Sequence, residues 1–187
     1  MAKNAIYKGE REVRTFADLN HAAWVMIKKS EENAQGSRYT DMAALLFVAF
    51  TFEAYLNHLG QERIEFWSSI ESIKVMEKYD CLCKSLGVSP NFSKRPYQTL
   101  KSLFRFRNAV AHGRTQVLKT EKLINSQDEP WSHSPQTDWE EYCTGANAKR
   151  AKEDVEKVIV QLHVAAGLGD YPFMHGGTIS SVSLKPV

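Results

Sequence analysis

The chain has 187 residues, of which 43% are hydrophobic and 25% are charged. This length favours one domain with a sizeable core, and the composition is too apolar for a wholly disordered protein. The formal net charge is only +2, so the chain lacks the large basic field that holds long nucleic acid by charge alone. This balance does not exclude a local basic patch.

The cysteines and the apolar stretches indicate where the protein works. An odd number of cysteines, in a chain whose first residues lack the apolar core of a secretory signal, favours a reducing cytoplasm. The longest apolar run, MAALLFVAFTF at 42–52, is about half of the roughly 20 residues that span a bilayer. We therefore expect a cytoplasmic protein with no membrane segment, in which this run belongs to a buried core helix.

The N-terminal half predicts three helical segments. Apolar residues at helical spacing predict a first helix over 16–34. Thr40 and Asp41 can cap a second helix whose apolar content is nearly continuous, with Gly60 as its C-terminal stop. A third segment, from about 62 to 86, mixes apolar and charged residues, and its middle is a candidate for a break.

The C-terminal half predicts two more helices separated by a long irregular excursion. From Tyr97 the apolar spacing describes a helix that ends near His112, with Gly113 as its cap. Residues 120–148 carry two prolines and many polar side chains, so we expect an excursion with one short helical turn around TDWEEY. A last helix is expected from about residue 148.

Five helical segments without a convincing strand series predict an all-α fold, a helical bundle of about four to five helices. We assign residues 1–166 to this helical domain. Residues 167–187 show no clear periodicity and are assigned to a C-terminal tail.

The stretch FRFRNAVAHGRT, residues 104–115, carries the most informative polar residues of the chain. Asn108 and His112 are four residues apart on the predicted helix, so they share one face and the amide can orient the imidazole. Arg107 lies about 140° from His112 around an ideal helix axis, but its long side chain can still reach the same pocket. The three residues are therefore candidates for one site.

A plainer interpretation of these residues stays open. His112 can simply interact with the last carbonyl groups of its helix, and Arg107 can pair with a carboxylate such as Glu53. Glu53 and Asn57 are themselves four residues apart in a helix that is too apolar to leave a charge unexplained. Glu53 is thus a candidate partner of Arg107 or His112, either to hold two helices together or to support a site.

RFRNAVAHG closing a bundle helix, with FEAYLNHL on an earlier apolar helix, resembles the HEPN superfamily. The signature of that superfamily is an Arg, then four to six residues with a polar one first, then a His, and Arg107, Asn108 and His112 match it at the four-residue spacing. The resemblance covers roughly residues 16–166. It implies an HEPN-like fold and either a metal-independent endoribonuclease of toxin or defence type or a non-catalytic binding or regulatory module.

The chemistry of RNA cleavage suits these residue types. Cleavage without metal needs a base for the ribose 2′-hydroxyl, an acid for the leaving oxygen and a cation for the phosphate. His112 is the candidate proton-transfer group, Arg107 the phosphate clamp, and Asn108 the residue that orients the histidine or the phosphate. Arg105 and Arg114 can add phosphate contacts.

Each chain offers one histidine in the motif, so a two-fold dimer would supply a second. The resemblance implies such a homodimer, paired through the motif helix around a shared cleft, with RNA as substrate. An antitoxin or another regulatory protein is a further candidate partner.

Neither a metal nor another cofactor is expected. Cys81, Cys83, Cys143 and His133 do not have the spacing of a zinc site, and no Gly-rich phosphate loop is present. The aromatic residues of the excursion can stack RNA bases or can fix the loop to its own core. They are Trp131, Trp139 and Tyr142.

Overall fold

The computed structural model describes residues 5–184 and is mostly helical. Its seven α-helices in this range are α1 (Thr15–Glu32), α2 (Ser37–Arg63), α3 (Trp67–Ile70), α4 (Val75–Leu86), α5 (Tyr97–Ala111), α6 (Asp138–Tyr142) and α7 (Gly145–Ala165). A 3-10 turn spans Pro130–His133, and two strands, β1 (Ala5–Arg11) and β2 (Thr178–Leu184), flank the helices. The predicted helical chain is confirmed, with the correction that it also contains one small sheet.

Helix α2 lies at the centre of the bundle. It packs against α1, α7, α4 and α5, and every turn from Ala44 to Leu59 contains fully buried residues. The buried apolar side chains include Leu45, Val48, Phe52, Tyr55, Leu56 and Leu59. By length and composition alone α2 could cross a membrane, but half of its most apolar window is buried inside the bundle. The run at 42–52 is therefore part of a core helix, as predicted.

The end of α2 differs from the prediction. Gly60 does not stop the helix, which continues to Arg63. A Cβ atom at position 60 would overlap the indole ring of Trp67, which is itself almost fully buried. Glycine is needed here because an aromatic ring packs directly on the helix backbone. The predicted break in the third segment is confirmed, since α3 and α4 are separate helices.

Helix α5 begins at Tyr97 as predicted and presents its C-terminal end at the surface. His112 is the residue that follows the last helical position, and its backbone N–H donates to the carbonyl of Asn108 at 2.9 Å. Gly113 is not among the glycines with positive φ, so the predicted glycine cap is wrong. The chain leaves α5 through exposed, irregular backbone over 113–129.

The helical turn predicted around TDWEEY is confirmed as α6. Thr137 and Glu140 form a reciprocal capping box at its start. The backbone N–H of Thr137, then Arg38 and the Thr137 hydroxyl, donate to the Glu140 carboxylate and lower its pKa to about 2. Tyr142 of α6 packs against Phe106 of α5, with ring centroids 5.6 Å apart, and so fixes the excursion to the motif helix.

The small sheet joins the two ends of the described chain. Strand β2 pairs antiparallel with β1, from Ala5 opposite Leu184 to Arg11 opposite Thr178. Every residue of β1 and residues 178–183 of β2 are exposed, so these residues lack the alternation of buried and exposed positions that would have revealed a strand. Part of the segment assigned to a tail, 167–187, is therefore paired with the N-terminal strand, while residues 1–4 and 185–187 lie outside the described range.

Candidate functional site

The last turn of α5 presents the three motif residues at the protein surface. The Asn108 and His112 side chains are exposed, and the Arg107 side chain is 22% exposed. Helix α5 places them there because Leu100, Leu103 and Phe106 turn its other face into the core. The site is therefore an open surface and not an enclosed cavity.

Arg107 is fixed by contacts on two sides. Its Nη2 donates to Glu53 Oε2 at 2.6 Å, and its Nη1 donates to Asn108 Oδ1 at 3.1 Å. The guanidinium carbon also lies 6.0 Å from the centre of the Phe50 ring, within range of a cation–π contact. The plainer interpretation, an ion pair between Arg107 and Glu53, is thus observed, and it holds the guanidinium in one orientation.

Lys78 of α4 is a member of this cluster that the sequence interpretation missed. Its side chain is only 4% exposed, its Nζ donates to Asn57 Oδ1 at 2.9 Å, and its Nζ lies 3.7 Å from Glu53 Oε1. Glu53 therefore lies between two cations, and Asn57 serves to hold Lys78. One carboxylate against two cations leaves this cluster with an excess of positive charge beside the exposed end of α5.

The His112 imidazole takes part in none of the hydrogen bonds or ion pairs found among residues 5–184. Asn108, predicted to orient it, uses its side-chain oxygen for Arg107 within this chain. The structure thus brings Arg107, Asn108, Glu53 and Asn57 together in one network and leaves the imidazole facing solvent.

Basic residues concentrate along α5 and the segments that flank it. Eight Lys and Arg residues against the single acidic Glu121 lie between Lys94 and Lys122, although the whole chain is close to neutral. Arg114 follows the helix end and is exposed, whereas Arg105 lies on a different face of α5 from Arg107 and lines a cleft of about 490 Å³. The chain is therefore locally basic over residues 94–122, but these side chains are spread over both ends and more than one face of α5.

The four residues considered as zinc ligands are not brought together. Cys81, Cys83 and Cys143 are free thiols, and burial raises the pKa of both Cys83 and Cys143. His133 contacts Asp128 instead, with 3.2 Å between Nε2 and Oδ2. Within the described range, no group of three or more His, Cys, Asp or Glu side chains has an arrangement suited to a metal ion.

Comparison with known proteins adds no family to this geometry. No family model matches the chain, and neither the curated proteins nor the solved structures gave a match. The resemblance to the HEPN superfamily therefore rests on the residues from Arg107 to His112 at the end of a helix and on FEAYLNHL in the earlier apolar helix.

Proposed function

We propose that the protein is a metal-independent endoribonuclease of toxin or defence type with an HEPN-like fold, acting in the cytoplasm. The observation that carries this proposal lies at the end of α5, where Glu53 orients the Arg107 guanidinium and the His112 imidazole is exposed one turn further on. A fixed cation and an accessible proton-transfer group are two of the three groups that cleavage of RNA by its own 2′-hydroxyl requires.

Each residue has a distinct role in this proposal. His112 transfers a proton to or from the reacting oxygens, since imidazole does so readily near neutral pH. Arg107 binds the phosphate through the N–H groups that Glu53 and Asn108 leave free, and Arg105 and Arg114 add positive charge for the flanking phosphates. Glu53 and Asn57, through Lys78, are positioning residues that keep the guanidinium in place.

The proposed reaction needs both a base and an acid, and the motif offers one histidine in each chain. A homodimer that pairs the ends of two α5 helices would place two imidazoles around one phosphate. We expect light scattering to give the mass of a dimer at micromolar concentration. A monomer under those conditions, or a two-fold contact remote from α5, would contradict the shared site.

A second function, a non-catalytic binding or regulatory module that works with an antitoxin or another partner protein, is favoured by one observation. The charge of Arg107 is already paired with Glu53 at 2.6 Å, as in an ion pair that simply joins two helices. In that case the same exposed residues would bind a partner without cleaving it.

The decisive experiment is an RNA cleavage assay of the wild type beside His112→Ala. We expect the substitution to reduce cleavage by about 10²–10⁴-fold, the usual contribution of a proton-transfer group. The exposed His21 of α1 offers a matched control, and His21→Ala should cleave as the wild type does. Equal cleavage by wild type and His112→Ala would show that His112 is not the proton-transfer group, whereas no cleavage by the wild type would leave only the binding module.

The products test the chemistry independently. Attack by the 2′-hydroxyl leaves a 2′,3′-cyclic phosphate and a 5′-hydroxyl, so a DNA strand of the same sequence should stay intact and cleavage should survive excess EDTA. Mass spectrometry of the fragments identifies the ends. Fragments with 5′-phosphate ends, or activity that EDTA removes, would contradict the proposed roles of His112 and Arg107.

A further inference from the structure

Two neighbouring clefts run along the side of α5 that carries Arg105. The first, of about 370 Å³, has Arg95 and Arg150 on its walls and is called the arginine cleft. The second, of about 490 Å³, contains Arg105, Phe106, Trp139 and Tyr142 and is called the aromatic cleft. Ser102 and Tyr142 line both clefts, so the two lie side by side.

The arginine cleft has the charge to bind a phosphate group. Arg95 contacts Asp154 with its Nε and Nη2 atoms, which leaves Nη1 available. Asp154 is buried beneath the cleft and is already satisfied by Arg95 and Thr99. Arg150 is exposed, and its only hydrogen bond among the described residues is a long one of 3.3 Å to Asn147. The lining of the cleft thus carries two guanidinium groups and no carboxylate, while the Glu153 carboxylate lies 3.8 Å from Arg95 Nη2 outside that lining.

The aromatic cleft is suited to a flat, uncharged group. Arg38 covers the Trp139 ring at 5.5 Å, and Phe106 supports the Tyr142 ring, so both aromatic rings are held in position. Asp138 and Glu141 also line this cleft and would repel a phosphate. Burial raises the pKa of Tyr142 to about 12, so its hydroxyl remains protonated and can donate a hydrogen bond.

The two clefts extend along α5 towards its C-terminal end, where His112 lies. Arg105 and His112 are seven residues apart, which places them within about 20° of each other around an ideal helix axis. The α5 axis from Gln98, in the arginine cleft, to His112 is about 21 Å long at 1.5 Å per residue. A strand of a few nucleotides that occupied both clefts would therefore approach the exposed imidazole.

We propose that the two clefts together bind single-stranded RNA, with a base against Trp139 and Tyr142 and a neighbouring phosphate between Arg95 and Arg150. This inference rests on the proposed ribonuclease function and deepens it, since it names unpaired RNA as the substrate class. A base inside a duplex could not enter the aromatic cleft without leaving its stack.

The test measures binding of a fluorescein-labelled single-stranded oligoribonucleotide by polarisation, with the His112→Ala chain as the parent so that RNA stays intact. Adding Trp139→Leu should weaken binding by at least about fivefold, because leucine lacks the flat face on which a base stacks. Adding Arg150→Ala should lower the slope of log K against log salt by about 0.7, the value for one lost phosphate contact to a single strand.

Matched controls separate the clefts from general effects. Trp24→Leu on α1 and Arg63→Ala at the end of α2 remove exposed residues of the same types elsewhere, and both should bind as the parent does. A duplex of the same sequence should compete poorly for the protein. Because Arg150 is exposed, its variant keeps the test valid even if Trp139→Leu does not fold.

The outcomes distinguish this inference from the proposed function. Parent-like binding by both cleft variants, or competition by the duplex as strong as by the single strand, would overturn the inference. If the wild type cleaves RNA and the cleft variants cleave it with an unchanged KM, the clefts do not bind the substrate, and the proposed ribonuclease function stands. If the wild type binds RNA through the clefts but does not cleave it, the clefts are an RNA-binding site, and the proposed ribonuclease function is wrong.

Discussion

At each end of α5 an arginine is paired with a carboxylate of another helix, but the two carboxylates differ in how deeply they are buried. Just before the helix, Arg95 makes two hydrogen bonds to Asp154, at 2.7 and 2.9 Å, and Thr99 donates a third at 2.6 Å. At the other end, Arg107 makes a single hydrogen bond to Glu53 at 2.6 Å. The Asp154 side chain is 1% exposed, whereas that of Glu53 is 26% exposed.

This difference indicates what each pair does. A buried carboxylate with three hydrogen-bond donors depends on all of them for stability. If one donor is removed, part of the negative charge is left without a hydrogen bond from either protein or water. A carboxylate at the surface can be rehydrated, so the pair of Glu53 with Arg107 contributes less to stability. We infer that the first pair holds α5 to α7, and that the second orients a cation beside exposed groups.

The largest effect on stability is expected from Arg95→Ala. Removing the guanidinium leaves the buried Asp154 carboxylate with Thr99 alone, so the free energy of unfolding should fall by more than it does for any of the other substitutions below. Urea denaturation followed by circular dichroism measures this loss. The adjacent exposed Lys94 is the control, and Lys94→Ala should stay within about 0.5 kcal/mol of the wild type. A loss for Arg95→Ala no larger than that for Glu53→Ala would show that the two pairs are equivalent.

Glu53→Ala should have a smaller effect on stability and a clear one on cleavage. The buried Lys78 loses a carboxylate but keeps Asn57, so we expect a loss of about 1–3 kcal/mol. Cleavage of RNA should also fall, because Arg107 then keeps only its contacts with Asn108 and the Phe50 ring. The exposed Glu65 is a control of the same residue type, and Glu65→Ala should change neither quantity. A stability loss as large as that of Arg95→Ala would place Glu53 among the structural carboxylates.

The two ends of α5 also differ in how far the sequence could predict them. The unexplained charge of Glu53 in an apolar helix correctly indicated a partner, and Arg107 was one of the two candidates. Lys78 was missed because a lysine on an amphipathic helix usually lies at the surface, and only the packing of α4 on α2 shows it to be buried. The pairing of Arg95 with Asp154 joins residues 59 positions apart, a distance at which periodicity carries no information.

The fold shows the same division between local and long-range information. Helix α6 and the start of α5 were predicted because capping residues and apolar spacing act over a few positions. Gly60 was misjudged as a helix stop because the requirement for glycine comes from the ring of Trp67. Strands β1 and β2 pair the two ends of the chain and bury little apolar surface, so neither produced a pattern.

Arg107→Lys tests whether the surface pair serves mainly to position a cation. A lysine can still pair with Glu53, so the free energy of unfolding should stay within about 1 kcal/mol of the wild type. Cleavage should nevertheless fall by at least about tenfold, because an ammonium cannot reproduce the two-point contact of a guanidinium with phosphate. Steady-state cleavage beside urea denaturation separates the two quantities, with Arg63→Lys as the control. Unchanged cleavage would assign Arg107 a purely structural role.

The smallest expected effect is a change in the free energy of unfolding at acid pH, and it comes from the pair of Arg95 and Asp154. Burial raises the pKa of Asp154, but the hydrogen bonds from Arg95 and Thr99 outweigh burial and hold the pKa below its usual value of 3.8. The folded state therefore releases this proton more readily than the unfolded state does, so the pair stabilises the protein above about pH 4 and loses that contribution as the pH falls through the lowered pKa.

Asp154→Asn removes this titration, and its stability should decline less steeply than that of the wild type between about pH 4 and pH 2. The difference in slope is at most about 1.4 kcal/mol per pH unit, the value for one proton. Urea denaturation of both proteins at half-unit intervals measures it. Parallel profiles would show that the Asp154 carboxylate gains nothing from Arg95 in the folded state, and the contrast between the two ends of α5 would then have to rest on burial alone.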